Sequence, residues 1–203
     1  MFIQNLREAT AASHKQLENN YLSALLVSDD VTATVYTAYL LKLYPFIVGF
    51  EDHVFPLLKN VVTDIDQRKK AHLLKADLES FGVNIEDAAI IKTKFFSDNY
   101  VGIYEAVGGM YVLEGSTLGG QIIQKHLQKV LGPAFIGSKY FTAYNRQTGS
   151  YWKNFLQTLS LAPQNNLQEQ QIISSAVNTF TLINDLLIYN KITAFNYDNK
   201  EHC

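Results

Sequence analysis

The chain has 203 residues, of which 47% are hydrophobic and 18% charged, with a formal net charge of −2. That length fits one domain able to bury a core, and the composition excludes a disordered chain. The small net charge excludes a general attraction to nucleic acid or to an anionic membrane, so any bound anion must meet a local cluster.

Taken in chain order, the apolar pattern is helical throughout. The first residues, MFIQNLREAT, lack the basic and apolar regions of a signal peptide, and no run of 18 apolar residues follows anywhere, so the expected location is the cytoplasm, with no membrane partner. Leu6, Thr10, His14, Leu17 and Tyr21 step by four or three and share one face of a first helix. SDD at 28–30 predicts the cap of a long second helix reaching Lys59, kinked or broken at Pro45 and Pro56. TDIDQRKKAHLLKADLESFG starts on capping residues and stops at Gly82, which predicts a third helix. SDNYVGIYEAV opens a fourth, expected to run past Gly120 to the GP pair at 132–133. GSYWKNFLQTLS and LQEQQIISSAVNTFTLINDLLIYN predict the last two. No repeat, low-complexity tract or linker interrupts the series. The expected architecture is an all-α, single-domain bundle over residues 1–203, with roughly the last ten residues a flexible tail. The single cysteine, Cys203, ends that tail, so no internal disulfide forms.

The fourth helix carries an anomaly. Gly102, Gly108, Gly109, Gly115, Gly119 and Gly120 crowd into it, out of only 11 glycines in the chain. Each glycine in a helix interior costs about 1 kcal/mol relative to alanine. Gly108, Gly115 and Gly119 share a stripe, so another body can approach the backbone there. That body is either a neighbouring helix or a flat ligand. With polar Ser116 and Thr117 beside the stripe, the ligand has at least equal weight.

Metal motifs narrow the ligand. No Asp or Glu has a histidine three residues on, and neither HExxH nor a cysteine pair is present. A cofactor needing one protein ligand fits better, and heme is such a cofactor, with one imidazole on iron and apolar walls or close backbone opposite. His14 lies on the apolar stripe of its helix. Glu18, one turn on, is placed to accept the Nδ1 proton directly or through water, leaving Nε2 for iron. Arg7, two turns earlier, shares that azimuth and suits a propionate. Read from the first helix alone, His14 is better described as a half-buried histidine with a local hydrogen bond. DQRKK at 66–70 reads as an exposed helix face, and YWKNF as a core aromatic cluster in which Trp152 packs. Tyr111 and Glu114 flank the glycine stripe, while His53 and His126 read as structural or solvent-facing.

Two segments together resemble a known family. LREATAASHKQLE resembles the proximal helix of heme oxygenases, and YVLEGSTLGGQII resembles their glycine-rich distal helix, especially that of bacterial members that supply biliverdin to phytochromes. The resemblance implies a heme-oxygenase-like helical bundle in which heme b, substrate and cofactor together, is sandwiched between the two helices. It implies oxidative cleavage to biliverdin with release of iron and carbon monoxide. By position, His14 matches the iron ligand, Glu18 the acidic residue beside it, and Arg7 a basic residue near the propionates. Gly115, Gly119 and Gly120 match the glycines against the heme face. Lys153 matches a second propionate contact more loosely, as Phe180 does an aromatic near the pocket. Well-known members carry an aspartate after the first distal glycine, where it organises water. Here that position is Ser116, for which Thr117 or a water chain from another helix is the expected support.

The implied partners are O2, an external electron donor (ferredoxin or a reductase) and a bacteriophytochrome as biliverdin acceptor. No GxGxxG fingerprint for a flavin or nicotinamide of its own is present. A heme-binding sensor or carrier without turnover is the first rival reading. A second is thiamine-pyrimidine hydrolysis on the same fold, whose cysteine nucleophile this chain lacks outside its tail. A plain helical interaction module would leave the clustered glycines unexplained.

Overall fold

The computed structural model describes residues 1–85, 91, 93–133 and 135–188, and the expected tail with Cys203 lies outside the described residues. Within them the helices are α1 (Phe2–Glu18), α2 (Tyr21–Leu26), α3 (Ala33–His53), α4 (Phe55–Leu58), α5 (Ala71–Ser80), α6 (Thr93–Asn99), α7 (Ile103–Leu131), α8 (Thr148–Leu161) and α9 (Asn166–Leu187). Short 3-10 turns occupy Ile65–Arg68 and Asn145–Gln147. No described residue is in a strand.

The long second helix expected from residue 28 onward is divided. Thr32, not the SDD triplet, caps α3 by accepting the Val35 amide at 3.2 Å. Ahead of it, the Asn20 side chain caps α2 and also bonds to Asn184 of α9, so this turn is fixed to the core. Pro45 sits within α3 without ending it, whereas Pro56 opens α4. The helix expected from residue 63 starts only at Ala71. Its first free amides, those of Lys70 and Ala71, are accepted by the Glu51 carboxylate of α3, a cap supplied from another helix. Its stop is where the sequence places it, with Gly82 at φ +70°. Likewise α7 ends at Gly132, φ +80°.

The apolar α3 bears on the expectation that no segment crosses a membrane. It is long and apolar enough to cross a membrane, with a mean hydropathy of 1.2 over its best window. Its Tyr36, Leu40, Leu43, Phe46, Ile47 and Phe50 are nevertheless buried, in contact with α5, α6 and α9. These are the contacts of a core helix.

The arrangement that matters for function is centred on α9, against which both α1 and α7 pack. Gly108 explains how closely α7 approaches. A Cβ there would lie 2.4 Å from the Ile172 carbonyl oxygen and 3.0 Å from the Ala176 nitrogen. The Ser175 hydroxyl locks the register by donating to the Glu105 carbonyl at 2.7 Å. On the other side α1 buries Leu6 and Thr10, and the Thr10 hydroxyl donates back to the Leu6 carbonyl. Gly108→Ala is expected to push α7 off α9 and lower stability by about 1–3 kcal/mol, the range for overpacking a close contact; urea denaturation followed by circular dichroism measures it.

Candidate functional site

Because α1 and α7 are each tied to α9, a cavity of about 500 Å³ lies between them. That size suits a small-molecule or cofactor pocket. From α1 it is lined by Arg7, His14, Leu17 and Glu18, from α7 by Tyr111, Gly115, Ser116 and Gly119, and from α9 by Phe180 and Ile183. Seven of the residues singled out from sequence therefore meet in one place: Arg7, His14, Glu18, Gly115, Ser116, Gly119 and Phe180.

On the α1 side, the His14 ring meets Phe180 edge-on, with centroids 5.3 Å apart and planes at 78°. This contact sets one edge of the imidazole against α9, while the side chain stays 57% exposed, more open than the half-buried histidine expected from the first helix alone. His14 Nδ1 and Glu18 Oε1 are 3.7 Å apart. That is ion-pair distance but longer than a direct hydrogen bond. Glu18 also lies 3.6 Å from Lys15 Nζ. The described residues contain no group of three His, Cys, Asp or Glu side chains close enough to share a metal ion.

On the α7 side the crowded glycines divide by use. A Cβ at Gly119 would meet nothing within 4 Å, and one at Gly115 would touch only the Trp152 ring, at 3.6 Å. These two leave bare backbone on the cavity. Gly109 instead makes room for the Phe50 and Tyr100 rings, and Gly120 for the Phe141 backbone, 2.9 Å from where its Cβ would stand. Gly102 is the N-cap of α7. Gly108 faces α9, as described. Both bodies anticipated from the stripe are thus accommodated on one helix, a neighbouring helix at Gly108 and an open ligand-sized space at Gly115 and Gly119.

Two candidates fall elsewhere. Gly120 does not line the cavity, because Phe141 lies against it. Lys153 is exposed on α8, also outside the lining. Trp152, expected only as a core aromatic, packs on Tyr111 at 5.7 Å and lines the cavity as well.

The polar groups on α7 are committed in different directions. Ser116 lines the cavity and donates its hydroxyl proton to the Leu113 carbonyl at 2.8 Å. Thr117 donates to the Glu114 carbonyl at 2.6 Å and does not line the cavity, so it is not the support expected for Ser116. Two tyrosines that no sequence pattern singles out complete the wall, half-buried Tyr39 from α3 and buried Tyr140 from the segment between α7 and α8. Burial pushes the Tyr39 phenol up to about 12 and the Tyr140 phenol further still, so both keep their protons.

Behind this wall lies a cluster of buried charge. Glu114, fully buried, accepts from Lys70 Nζ at 2.7 Å, from the Tyr144 hydroxyl at 2.7 Å and from Arg68. Arg68 is held in turn by Asp64, through Nε at 2.8 Å and Nη2 at 2.9 Å. Arg68 and Lys70 are 1% and 6% exposed, so the solvated face expected of DQRKK holds for Asp66, Gln67 and Lys69 but not for these two cations. Burial, together with the facing Glu114 carboxylate, pushes the Tyr144 phenol well above its ordinary value, so it remains a donor to that carboxylate. Of the two residues flanking the glycine stripe, Tyr111 faces the cavity while Glu114 anchors the helix from behind.

Comparisons with known proteins agree with this geometry. The family profile described as Heme oxygenase matches residues 1–188. A search of curated proteins finds no match. Among solved structures, the chain is similar to the heme oxygenase of Leptospira interrogans, with a TM-score of 0.78 at 18% identity over 92% of this chain and 98% of that one. It is similar to the NO- and CO-bound heme oxygenase of Neisseria meningitidis, TM-score 0.73 at 20% identity over 92% of this chain and 90% of that one. It is also similar to heme oxygenase-1 of the cyanobacterium Synechocystis sp. PCC 6803 in complex with heme, TM-score 0.74 at 19% identity over 95% of each chain. At these identities the likeness establishes the shared all-α fold.

The Glu114 cluster generates its own expectation. Glu114→Ala leaves two buried cations without their shared carboxylate, which is expected to cost about 3–5 kcal/mol in chemical denaturation.

Proposed function

The chain belongs to the heme oxygenase family, and we propose that its heme lies in the cavity between α1 and α7 with His14 as the protein ligand to iron. The chain is an enzyme that cleaves heme oxidatively to biliverdin, with release of iron and carbon monoxide, using O2 and an external reductant. One observation carries the assignment of the site: a lone imidazole on α1 and bare backbone on α7 line the same apolar cavity.

The residues present fit heme b. Its iron takes one imidazole, its two faces need apolar or backbone walls, and its propionates need cations at an open edge. His14 supplies the imidazole, and Phe180, packed edge-on, sets the ring's rotation. Glu18, with Oε1 3.7 Å from Nδ1, would favour the proton on Nδ1 and so leave Nε2 for the iron. Arg7, exposed on the same side of α1, pairs with a propionate. Lys153, exposed on α8 outside the cavity lining, takes no part in this reading. Gly120 contributes indirectly, by seating Phe141, which lines the cavity.

When bound, heme supplies the iron at which O2 is activated; the protein supplies orientation and exclusion of water. Gly115 and Gly119 leave the α7 backbone bare, so it would lie close to one face of the heme and crowd a ligand bound there toward one side. Ser116 would present its hydroxyl oxygen to the same space. Leu17, Tyr111, Phe180 and Ile183 keep bulk solvent away. We further propose a single domain, a cytoplasmic location, electrons from a ferredoxin or reductase, and a bacteriophytochrome as acceptor, the last supported by the EGSTLGG segment.

Hemin added to the purified protein is expected to give a histidine-ligated spectrum that decays to that of biliverdin with ascorbate in air. His14→Ala is expected to abolish that ligated spectrum, and an unchanged spectrum would exclude His14 as the ligand. Gly119→Leu is expected to leave the melting temperature of the ligand-free protein unchanged or higher, because its Cβ meets open space. Turnover should fall roughly ten- to hundredfold, the scale for misplacing a reactant by about an ångström, and hemin affinity should fall less.

A further inference from the structure

We propose that Asp77 and Tyr36 are positioning residues for heme cleavage: neither lines the cavity, and both act through the segment 138–141, whose Tyr140 and Phe141 form part of its wall. The inference rests on the reading of that cavity as the heme site.

Asp77, on α5, is fully buried. Its carboxylate is satisfied by neutral donors. Oδ1 accepts the Lys139 amide at 3.0 Å, and Oδ2 accepts the Tyr140 amide at 2.9 Å and the Tyr36 hydroxyl at 2.8 Å. The Tyr36 oxygen, having donated to Asp77, accepts the Ser138 amide at 2.7 Å. Burial and the facing Asp77 carboxylate push this phenol well above its ordinary value, so it keeps its proton and the linkage stays whole. Three successive amides, those of 138, 139 and 140, are thus held by one pair of side chains. The backbone is bent to reach them. Ser138 has φ +81°, a conformation that disfavours a side chain and persists only where the surroundings impose it. Gly137 before it is bare by necessity, because a Cβ there would stand 2.8 Å from the Tyr36 ring.

What this cradle fixes faces the cavity. Tyr140 and Phe141 follow at once and line it, and the Phe141 carbonyl oxygen would lie 2.9 Å from a Cβ on Gly120 of α7. The segment is therefore clamped between the Asp77–Tyr36 pair and α7. It forms a wall that α1, α7 and α9 do not supply. Such a wall matters for a disc-shaped substrate. One imidazole fixes the centre of a heme but leaves it free to turn about the iron–nitrogen bond. Contacts at the rim then decide which side of the ring stands under the crowded α7 backbone. A displacement of Tyr140 and Phe141 by a fraction of an ångström changes those contacts and the seating they select.

The test uses the full-length protein as Tyr36→Phe, which keeps the buried ring and loses two bonds, and as Asp77→Asn, which has one acceptor oxygen for three donors. The first readout needs no turnover. Heme-methyl proton resonances of the hemin-loaded ferric cyanide complex report the seating, which a merely stabilising role would not move. The ratio of minor to major seating is expected to rise roughly three- to tenfold in each variant, the scale of one lost hydrogen bond. The second readout is the ratio of biliverdin isomers formed with ascorbate in air, expected to move by the same factor. Folded variants that melt earlier yet keep the parent's methyl pattern and isomer ratio overturn the proposal. Should both variants fail to fold, Tyr140→Leu trims the wall and leaves the backbone bonds to Asp77 in place. It must shift the same two ratios, and the parent's values there overturn the proposal. A parent protein that binds no hemin overturns the site reading and this inference together, whereas normal binding with indifferent variants overturns this inference alone.

Discussion

The contact between α7 and α9 at Gly108 is the constraint on which the site depends. Where the Ile172 carbonyl leaves no space for a methyl group, the two helices meet backbone to backbone, and the Ser175–Glu105 bond fixes their register. Two turns further along α7 the same helix must stand clear of its neighbours, so that Gly115 and Gly119 face a cavity. The opposing wall is set by the same partner, because α1 also packs on α9 and His14 rests on Phe180. Both walls are therefore positioned from one helix, and the width between them follows from how closely each side chain layer allows its helix to approach.

The rotation of α7 about its own axis is set by a second device. Glu114 immediately precedes Gly115 and points the opposite way, into Arg68, Lys70 and Tyr144. Burying ions is expensive, and clusters of this kind often stabilise no more than apolar packing of the same volume would. What this one adds is direction. Three donors from two separate segments converge on one carboxylate, an arrangement only one rotation of α7 satisfies, and that rotation presents Gly115, Ser116 and Gly119 to the cavity. Glu51 does related work at the start of α5, where it caps a helix from across the bundle.

Much of this was legible in the sequence. The three- and four-residue steps of α1 placed His14 and Glu18 on one side, and the excess of glycine marked α7 as the helix something approaches. What escaped reading depended on partners far along the chain. Arg68 and Lys70 sit in a charge run that resembles any solvated surface, and only Glu114, 46 and 44 residues away, makes their burial affordable. Tyr140 lies in an irregular segment where no periodicity assigns a face. The start of α5 was misjudged for the same reason, because its cap comes from α3 rather than from neighbouring residues. The glycine stripe was read correctly as a bare surface, but spacing alone does not tell a glycine pressed on a helix from one facing a cavity.

The segment from Leu113 to Gly119 has a consequence for the protein before it meets its substrate. Two glycines there have almost no protein atoms to contact, and the Ser116 and Thr117 hydroxyls compete for carbonyls that the helix itself uses. The middle of the longest helix is thus held from behind but has few side-chain contacts on its cavity side. A flat occupant of the cavity would supply the absent contacts, so loading and rigidity are thermodynamically linked through this stretch.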